Sequence, residues 1–147
     1  MTDVNVRALR PTDMVAARAL VSAQFGGTPY EARLLVQLAL ATSGDDPECR
    51  VLVSDDEPRA LVLYGSIAGA MGVVKIYALA GNAIASRSLV AAVRDTDTRL
   101  FVCEVAEDMP FAVTTRILRE SGFEEAGRVA DYFREGVALV VLTWRSQ

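Results

Sequence analysis

The side chains that usually carry catalysis are scarce in this sequence. None of its 147 residues is histidine, so a Ser-His-Asp or Cys-His nucleophile and the usual imidazole base are excluded. The two cysteines, Cys49 and Cys103, lie far apart and cannot build a metal site without other ligands, so no metal is expected. Cys103 falls within an apolar run and is predicted to be a small buried residue. Proton transfer would therefore have to use other groups, such as phenols or carboxylates.

Composition and charge narrow the class of protein. With 52% hydrophobic and 23% charged residues, the chain is typical of a globular protein, and its length suits a single domain spanning residues 1–147. Fifteen basic residues oppose nineteen acidic ones, and the arginines are scattered, which argues against a nucleic-acid partner.

The longest apolar stretches, around Ala60 to Val74 and Val137 to Trp144, fall short of the roughly 20 residues that a membrane span needs. The N-terminus shows no basic start followed by an apolar run, as a secretory signal would. We therefore expect no membrane partner and a cytoplasmic location.

The first half of the chain reads as a strand, two helices and a run of strands. Val4 to Leu9 is strand-like, and Arg10-Pro11-Thr12-Asp13 supplies helix-start residues. Helical spacing follows over residues 14–21 and 29–41, separated by Gly26-Gly27, and residues 43–47 form a turn cluster. Three extended segments come next, at residues 50–54, 60–69 and 72–79, of which the first two form a hairpin.

The second half alternates helices and strands. Residues 84–93 and 110–121 have helical patterns, residues 100–105 form a short apolar strand, and residues 129–133 and 137–144 are two closing strands. The resulting order is β-α-α-β-β-β-α-β-α-β-β. It predicts an α/β (α+β) domain in which a mixed sheet is covered by helices on both faces.

Short motifs at both ends make the order of elements more specific. The opening strand ends at Arg10-Pro11-Thr12-Asp13, and the fourth helix leads into Gly122-Phe123-Glu124, then Asp131-Tyr132-Phe133 and a glycine turn at Gly136. This pattern resembles the GNAT (N-acetyltransferase) family over nearly the whole chain. The resemblance implies a mixed, mostly antiparallel sheet of six to seven strands. It also implies an acyl-CoA-dependent N-acyltransferase that uses acetyl-CoA as co-substrate and acetylates a small-molecule or peptide amine.

The family's pyrophosphate loop, Gln/Arg-x-x-Gly-x-Gly/Ala, is degenerate here. The best placement is residues 80–86, where only Ala85 fits and the expected Gln/Arg and first Gly are Ala80 and Ala83. Ser86 and Arg87 either contact phosphate directly or belong to a solvated helix face. The resemblance implies the following cofactor-binding residues: Tyr77, Ala78, Leu79, Gly81, Asn82, Ala83, Ile84, Ala85, Ser86 and Arg87.

The resemblance also assigns catalytic roles. A main-chain N–H of the fourth strand, around residues 76–79, would stabilise the oxyanion, and a splay from the fifth strand would admit the pantetheine arm. Leu118 and Phe111 replace the family's usual helix tyrosine and preceding asparagine. Tyr132 is the nearest alternative phenol, with Tyr77 as another, and Glu104 would act as a base through water. Each of these three side chains also has a plain structural reading, as sheet-edge aromatic packing or a solvated glutamate.

The departures from the family's motifs favour an alternative function, a catalytically inert GNAT-like domain that binds a ligand or a protein. Ile84 or Arg87 filling the opening beside the fourth strand would favour that alternative. From the resemblance, residues 26–30 and 131–136 are predicted to form the rim of the acceptor pocket. The apolar last strand, which ends at Trp144, is a candidate for pairing across a homodimer.

Overall fold

A computed structural model describes residues 4–43, 46–94 and 98–146. In these residues seven strands and four α-helices follow the predicted order, so the fold class is confirmed. The turn predicted at residues 43–47 lies partly outside the described residues. The elements are β1 Val6–Ala8, α1 Met14–Phe25, α2 Glu31–Ala41, β2 Arg50–Ser54, β3 Ala60–Ile67, β4 Ala70–Gly81, α3 Ala83–Arg94, β5 Leu100–Ala106, α4 Ala112–Glu120, β6 Glu124–Arg134 and β7 Val137–Arg145, with short 3-10 helices at Pro11–Asp13 and Met109–Phe111.

The seven strands form one sheet in the order β1-β2-β3-β4-β5-β7-β6. Every neighbouring pair is antiparallel except β4 and β5, which are parallel. The expectation that the last strand pairs across a dimer is wrong, because β7 lies between β5 and β6 and has a partner on each side. The outer strands of the sheet are β1 and β6.

The two parallel strands separate halfway along their length. Their pairing runs from Val73 opposite Leu100 to Ile76 opposite Cys103. Beyond that point β4 continues against β3 as far as Gly81, while β5 continues against β7 as far as Ala106. A V-shaped opening therefore lies between residues 77–81 of β4 and residues 104–106 of β5, as the resemblance implies.

A β-bulge marks the point of separation. Leu63 of β3 pairs with Ala78 and Tyr64 pairs with Ile76, so Tyr77 is an extra residue on β4. A bulge bends its strand and increases its twist. Because the bulge comes directly after the last residue that pairs with β5, we attribute the divergence of β4 to it.

The core buries several side chains that could otherwise take part in catalysis and leaves others exposed. Alternate residues of β5, Phe101, Cys103 and Val105, are at most 1% exposed, whereas Glu104 points to the opposite face of the sheet. Cys103 is thus confirmed as a buried residue, and burial raises the pKa of its thiol to about 12. Leu118, at the position of the family's tyrosine, is fully buried in the core.

The Arg-Pro-x-Asp motif at the start of the chain has a structural role. Asp13 is buried and accepts two hydrogen bonds from the Arg7 guanidinium, at 2.6 and 2.9 Å, and one from the Arg10 main-chain N–H at 2.7 Å. The hydrogen bond from Arg7 is the main cause that lowers the pKa of Asp13 to about 2. This bidentate pair fixes the direction in which β1 leads into α1.

Among the residues described, we find no helix that combines the length and the apolar character required to cross a membrane.

Candidate functional site

A cavity of about 420 Å³ lies on the face of the sheet where β4 and β5 separate. The turn before α2 and α2 itself supply Pro29, Tyr30, Arg33, Leu34 and Gln37, and the two strands supply Lys75, Tyr77 and Glu104. Phe111 and the β6 residues Tyr132, Phe133 and Arg134 complete the wall. The two segments predicted for the rim, residues 26–30 and 131–136, therefore both contribute to this one cavity.

The three side chains predicted for proton transfer meet at the cavity, although they come from three different strands. The Glu104 carboxylate is 42% exposed and lies 3.3 Å from the Lys75 ammonium. That ammonium also sits 5.5 Å from the centre of the Tyr77 ring. Burial raises the pKa of Tyr77, so its phenol keeps its proton at neutral pH. Tyr132 is 58% exposed at the mouth of the cavity. The contact between Lys75 and Glu104 was not predicted from the sequence.

A hydrogen-bonded cluster ties the two sides of the mouth together. Asp108 accepts a hydrogen bond from the Tyr30 hydroxyl at 3.0 Å and another from Arg134 at 2.9 Å. The Arg134 hydrogen bond lowers the pKa of Asp108, while burial is the main cause that raises the pKa of Tyr30. The Tyr30 ring also meets the rings of Phe111 and Phe133 edge-on, at 5.0 and 5.6 Å between centres. The mouth is thus held by aromatic packing and a carboxylate whose partners lie 26 and 78 residues away in the sequence.

The free edge of β4 is contacted by a residue that the sequence analysis missed. The Gln24 side-chain amide donates to the Leu79 carbonyl at 3.0 Å and to the Pro110 carbonyl at 3.2 Å. Its oxygen accepts from the Gly81 N–H at 3.1 Å. Thr114 of α4 makes a second, longer contact to the Leu79 carbonyl at 3.4 Å. Leu79 and Gly81 were both predicted to bind the cofactor, and their main-chain groups face the opening.

The predicted pyrophosphate loop is replaced by a tight junction. A single residue, Asn82, separates β4 from α3, and Ala83 to Arg87 form the first turns of the helix. Asn82 accepts a hydrogen bond from the Ala85 N–H at 3.0 Å, which is the usual N-cap arrangement. One of the main-chain donors that an anion would use at this helix start is therefore already satisfied by the protein itself.

The remaining residues of this segment do not fill the opening. Ser86 is 1% exposed, so its hydroxyl faces the core and is not available to a phosphate in solution. Arg87 forms an ion pair with Glu120 of α4, with one hydrogen bond of 3.1 Å. Ile84 is 66% exposed. An inert domain was expected to have Ile84 or Arg87 filling the space beside β4. Neither side chain fills it.

Several solved structures share this architecture along almost their full length. A Desulfovibrio desulfuricans protein described as a GNAT-family acetyltransferase is 22% identical over 97% of this chain and 99% of its own, with a TM-score of 0.81. The ribosomal-protein-S18-alanine N-acetyltransferase of Escherichia coli is 13% identical over 97% and 94% of the two chains, with a TM-score of 0.72. A Salmonella typhimurium protein solved with its cofactor acetyl-CoA is 14% identical over 98% and 94%, with a TM-score of 0.68.

The chain has the GNAT fold. This follows from the strand order, the single parallel pair that splays open and the similarity to these structures along almost the full length of the chain. No protein-family model matches the sequence, and no curated protein sequence matches it.

Proposed function

We propose that the chain is an acyl-CoA-dependent N-acyltransferase that transfers an acetyl group from acetyl-CoA to a small-molecule or peptide amine. One observation carries the proposal: the opening between β4 and β5 leads directly to a cavity lined by Tyr77, Glu104 and Tyr132. The Salmonella neighbour, which binds acetyl-CoA, supports the choice of co-substrate. A cytoplasmic location, the lack of a nucleic-acid partner and a homodimer belong to the same proposal, with β6 as the sheet edge available to a second copy.

The main chain of β4 suits the acyl-donor side of this reaction. Acetyl-CoA supplies an activated acetyl thioester at the end of an extended arm that contains amide groups. Residues 77–81 present main-chain groups that no longer pair with β5. An N–H of this edge would hydrogen-bond the thioester oxygen as negative charge develops there, which requires no particular side chain.

The cavity suits the acceptor side. The amine nitrogen attacks the thioester carbon, the carbon–sulfur bond breaks, and the sulfur leaves as a thiolate. Glu104, oriented by Lys75, takes the proton of the amine through a water molecule. Tyr132 donates its phenolic proton to the departing thiolate, and Tyr77 is the other phenol on the same wall. Arg33 also lines the cavity and forms no hydrogen bond or ion pair with any described residue, so it favours acceptors that carry an acidic group.

The nucleotide side of the site differs from the family's pattern. Asn82 caps α3 with its own side chain, and Arg87 is engaged by Glu120. We therefore expect the pyrophosphate to contribute less to binding than the arm. Pantetheine, which lacks the nucleotide, should retain a large share of the affinity of coenzyme A.

The second candidate function is the inert binding domain, which the short β4–α3 junction favours. One assay distinguishes the transferase from the inert binding domain. The purified chain is incubated with acetyl-CoA and a panel of amines, including amino acids and peptides, and free thiol is measured. A transferase releases coenzyme A only when an accepted amine is present. Thermal stabilisation by acetyl-CoA without thiol release for any amine would support the binding domain.

A further inference from the structure

The amide of Gln24 reproduces the hydrogen bonds of a parallel β-strand. Its nitrogen donates to the Leu79 carbonyl and its oxygen accepts from the Gly81 N–H. In a parallel sheet, one residue makes this pair of bonds to residues i and i+2 of the neighbouring strand. The side chain thus occupies the place of a strand residue opposite Ala80, at the part of β4 that β5 has left.

Gln24 also spans the opening. The second proton of its nitrogen is directed to the Pro110 carbonyl, which belongs to the short helix that follows β5. Gln24 comes from the last turn of α1, so three separate elements are joined by one amide. The Leu79 carbonyl would keep the contact from Thr114 if Gln24 moved away, because Thr114 is buried on α4 and independent of α1.

We propose that Gln24 is an internal gate on residues 79–81 of β4, which an extended chain that contains amides must displace in order to pair with that edge. The inference rests on the proposed function, since the pantetheine arm of acetyl-CoA is the amide chain that the opening would receive. A ligand amide that pairs with Leu79 and Gly81 forms the same two bonds that Gln24 gives up. Each hydrogen bond that the ligand forms with Leu79 or Gly81 replaces one that Gln24 loses. These bonds therefore add little to the affinity of the ligand as long as Gln24 competes for the same edge.

Removing the competing amide should therefore strengthen binding. We expect Gln24→Ala to lower the Kd of both acetyl-CoA and pantetheine by about 3- to 10-fold, the effect of one or two hydrogen bonds of ordinary net strength. Gln24→Ser is the second variant: its side chain is two bonds shorter, so its hydroxyl cannot bridge the Leu79 carbonyl and the Gly81 N–H, and the gate should also open. The matched control is Ser22→Ala, an exposed position on the same helix.

Isothermal titration calorimetry on the full chain measures these constants, and circular dichroism confirms that each variant is folded. If Gln24→Ala does not fold, Gln24→Ser and the wild type remain. In the wild type, nuclear magnetic resonance should show the Gln24 side-chain amide shifting when pantetheine is added, while the Gly81 N–H stays protected from exchange.

Tighter binding by the Gln24 variants, or binding of pantetheine by them alone, supports the gate. Equal or weaker binding by the variants, in a titration where the wild type binds, overturns the gate and leaves the proposed function intact. If the variants bind more tightly but no amine is acetylated, the gate stands and the transferase activity fails. Absence of binding to every form of the chain overturns both.

Discussion

At the scale of single residues, the site brings together side chains that lie far apart in the chain. Glu104, proposed as the base through water, and Tyr132, the alternative phenol, both line the cavity together with Lys75. The ion pair of Glu104 with Lys75 and the bonds of Gln24 to β4 were not predicted. Their partners are 29 and 55 residues apart in sequence, and only the register of the sheet and the packing of α1 bring them together.

Glu104 is the residue whose charge the proposed chemistry needs most. Glu104→Gln keeps the shape of the side chain but removes the base and the partner of Lys75. We expect kcat to fall roughly 100-fold, in the usual range for general base catalysis, with a smaller change in the KM for acetyl-CoA. Thiol release measured over a range of acetyl-CoA concentrations provides both constants. An unchanged kcat would show that Glu104 is only a solvated strand residue.

The two phenols on the cavity wall are distinguished by paired substitutions. If Tyr132 protonates the leaving thiolate, Tyr132→Phe lowers kcat by roughly 10- to 100-fold. Tyr77→Phe, the matched control, should have little effect because the ring and its contact with Lys75 remain. Steady-state thiol release tests both variants. The opposite ranking would assign the proton to Tyr77.

Asp13 predicts a measurable pH dependence of stability. Its pKa in the folded protein is about 2, against an ordinary value of 3.8, so folding favours the charged form. The stabilisation is therefore present above about pH 4 and is lost as the pH falls through 2. Asp13→Asn should lower the free energy of unfolding by about 2 kcal/mol or more at pH 7, a difference that shrinks towards pH 2. Urea titrations at several pH values measure it, with the exposed Glu57→Gln as control.

At the scale of elements, the sequence predicted the existence and order of the helices and strands well. Apolar runs and helical spacing mark these elements, several of them bounded by glycine or proline, and residues 50–54 match β2 at both ends. The prediction was weakest at the β4–α3 junction, where a family loop was fitted to residues 80–86. From the sequence, Gly81 and Asn82 are equally compatible with a loop and with a strand end followed by a helix cap. In the structure they pack against the main chain of Arg59, and this contact, which the sequence does not reveal, selects the strand end and the cap.

Gly81 shows why this junction is tight. Its backbone φ of +108° is one that residues with a side chain rarely adopt. A Cβ added to it would lie 2.3 Å from the Arg59 carbonyl oxygen. Gly81→Ala should therefore cost about 2 kcal/mol or more of stability. Gly69→Ala is the matched control, because Gly69 also has positive φ, +80°, but nothing lies within 4 Å of its Cβ position. Urea unfolding of both variants should show the larger loss for Gly81→Ala, and equal losses would contradict the account of the junction.

At the scale of the whole molecule, the fold was predictable because the order of elements is specific even where each motif is weak. The placement of β7 was not: an apolar last strand suggests a sheet edge, whereas β7 turns back after β6 and lies between β5 and β6. In this topology β4 and β5, the one parallel pair, follow different neighbours after their last paired residues: β4 stays beside β3 and β5 stays beside β7. The opening is thus a property of the whole sheet, and the proposed function depends on it.

The most direct test is a titration of the isotope-labelled chain with acetyl-CoA, followed by nuclear magnetic resonance of the main-chain amides. Binding in the opening predicts that the largest main-chain shifts fall on residues 77–81 of β4 and 104–106 of β5, and that the Gln24 side-chain amide shifts clearly as it loses its bonds to β4. Shifts confined to other faces of the sheet, or no shifts at millimolar acetyl-CoA, would contradict the account.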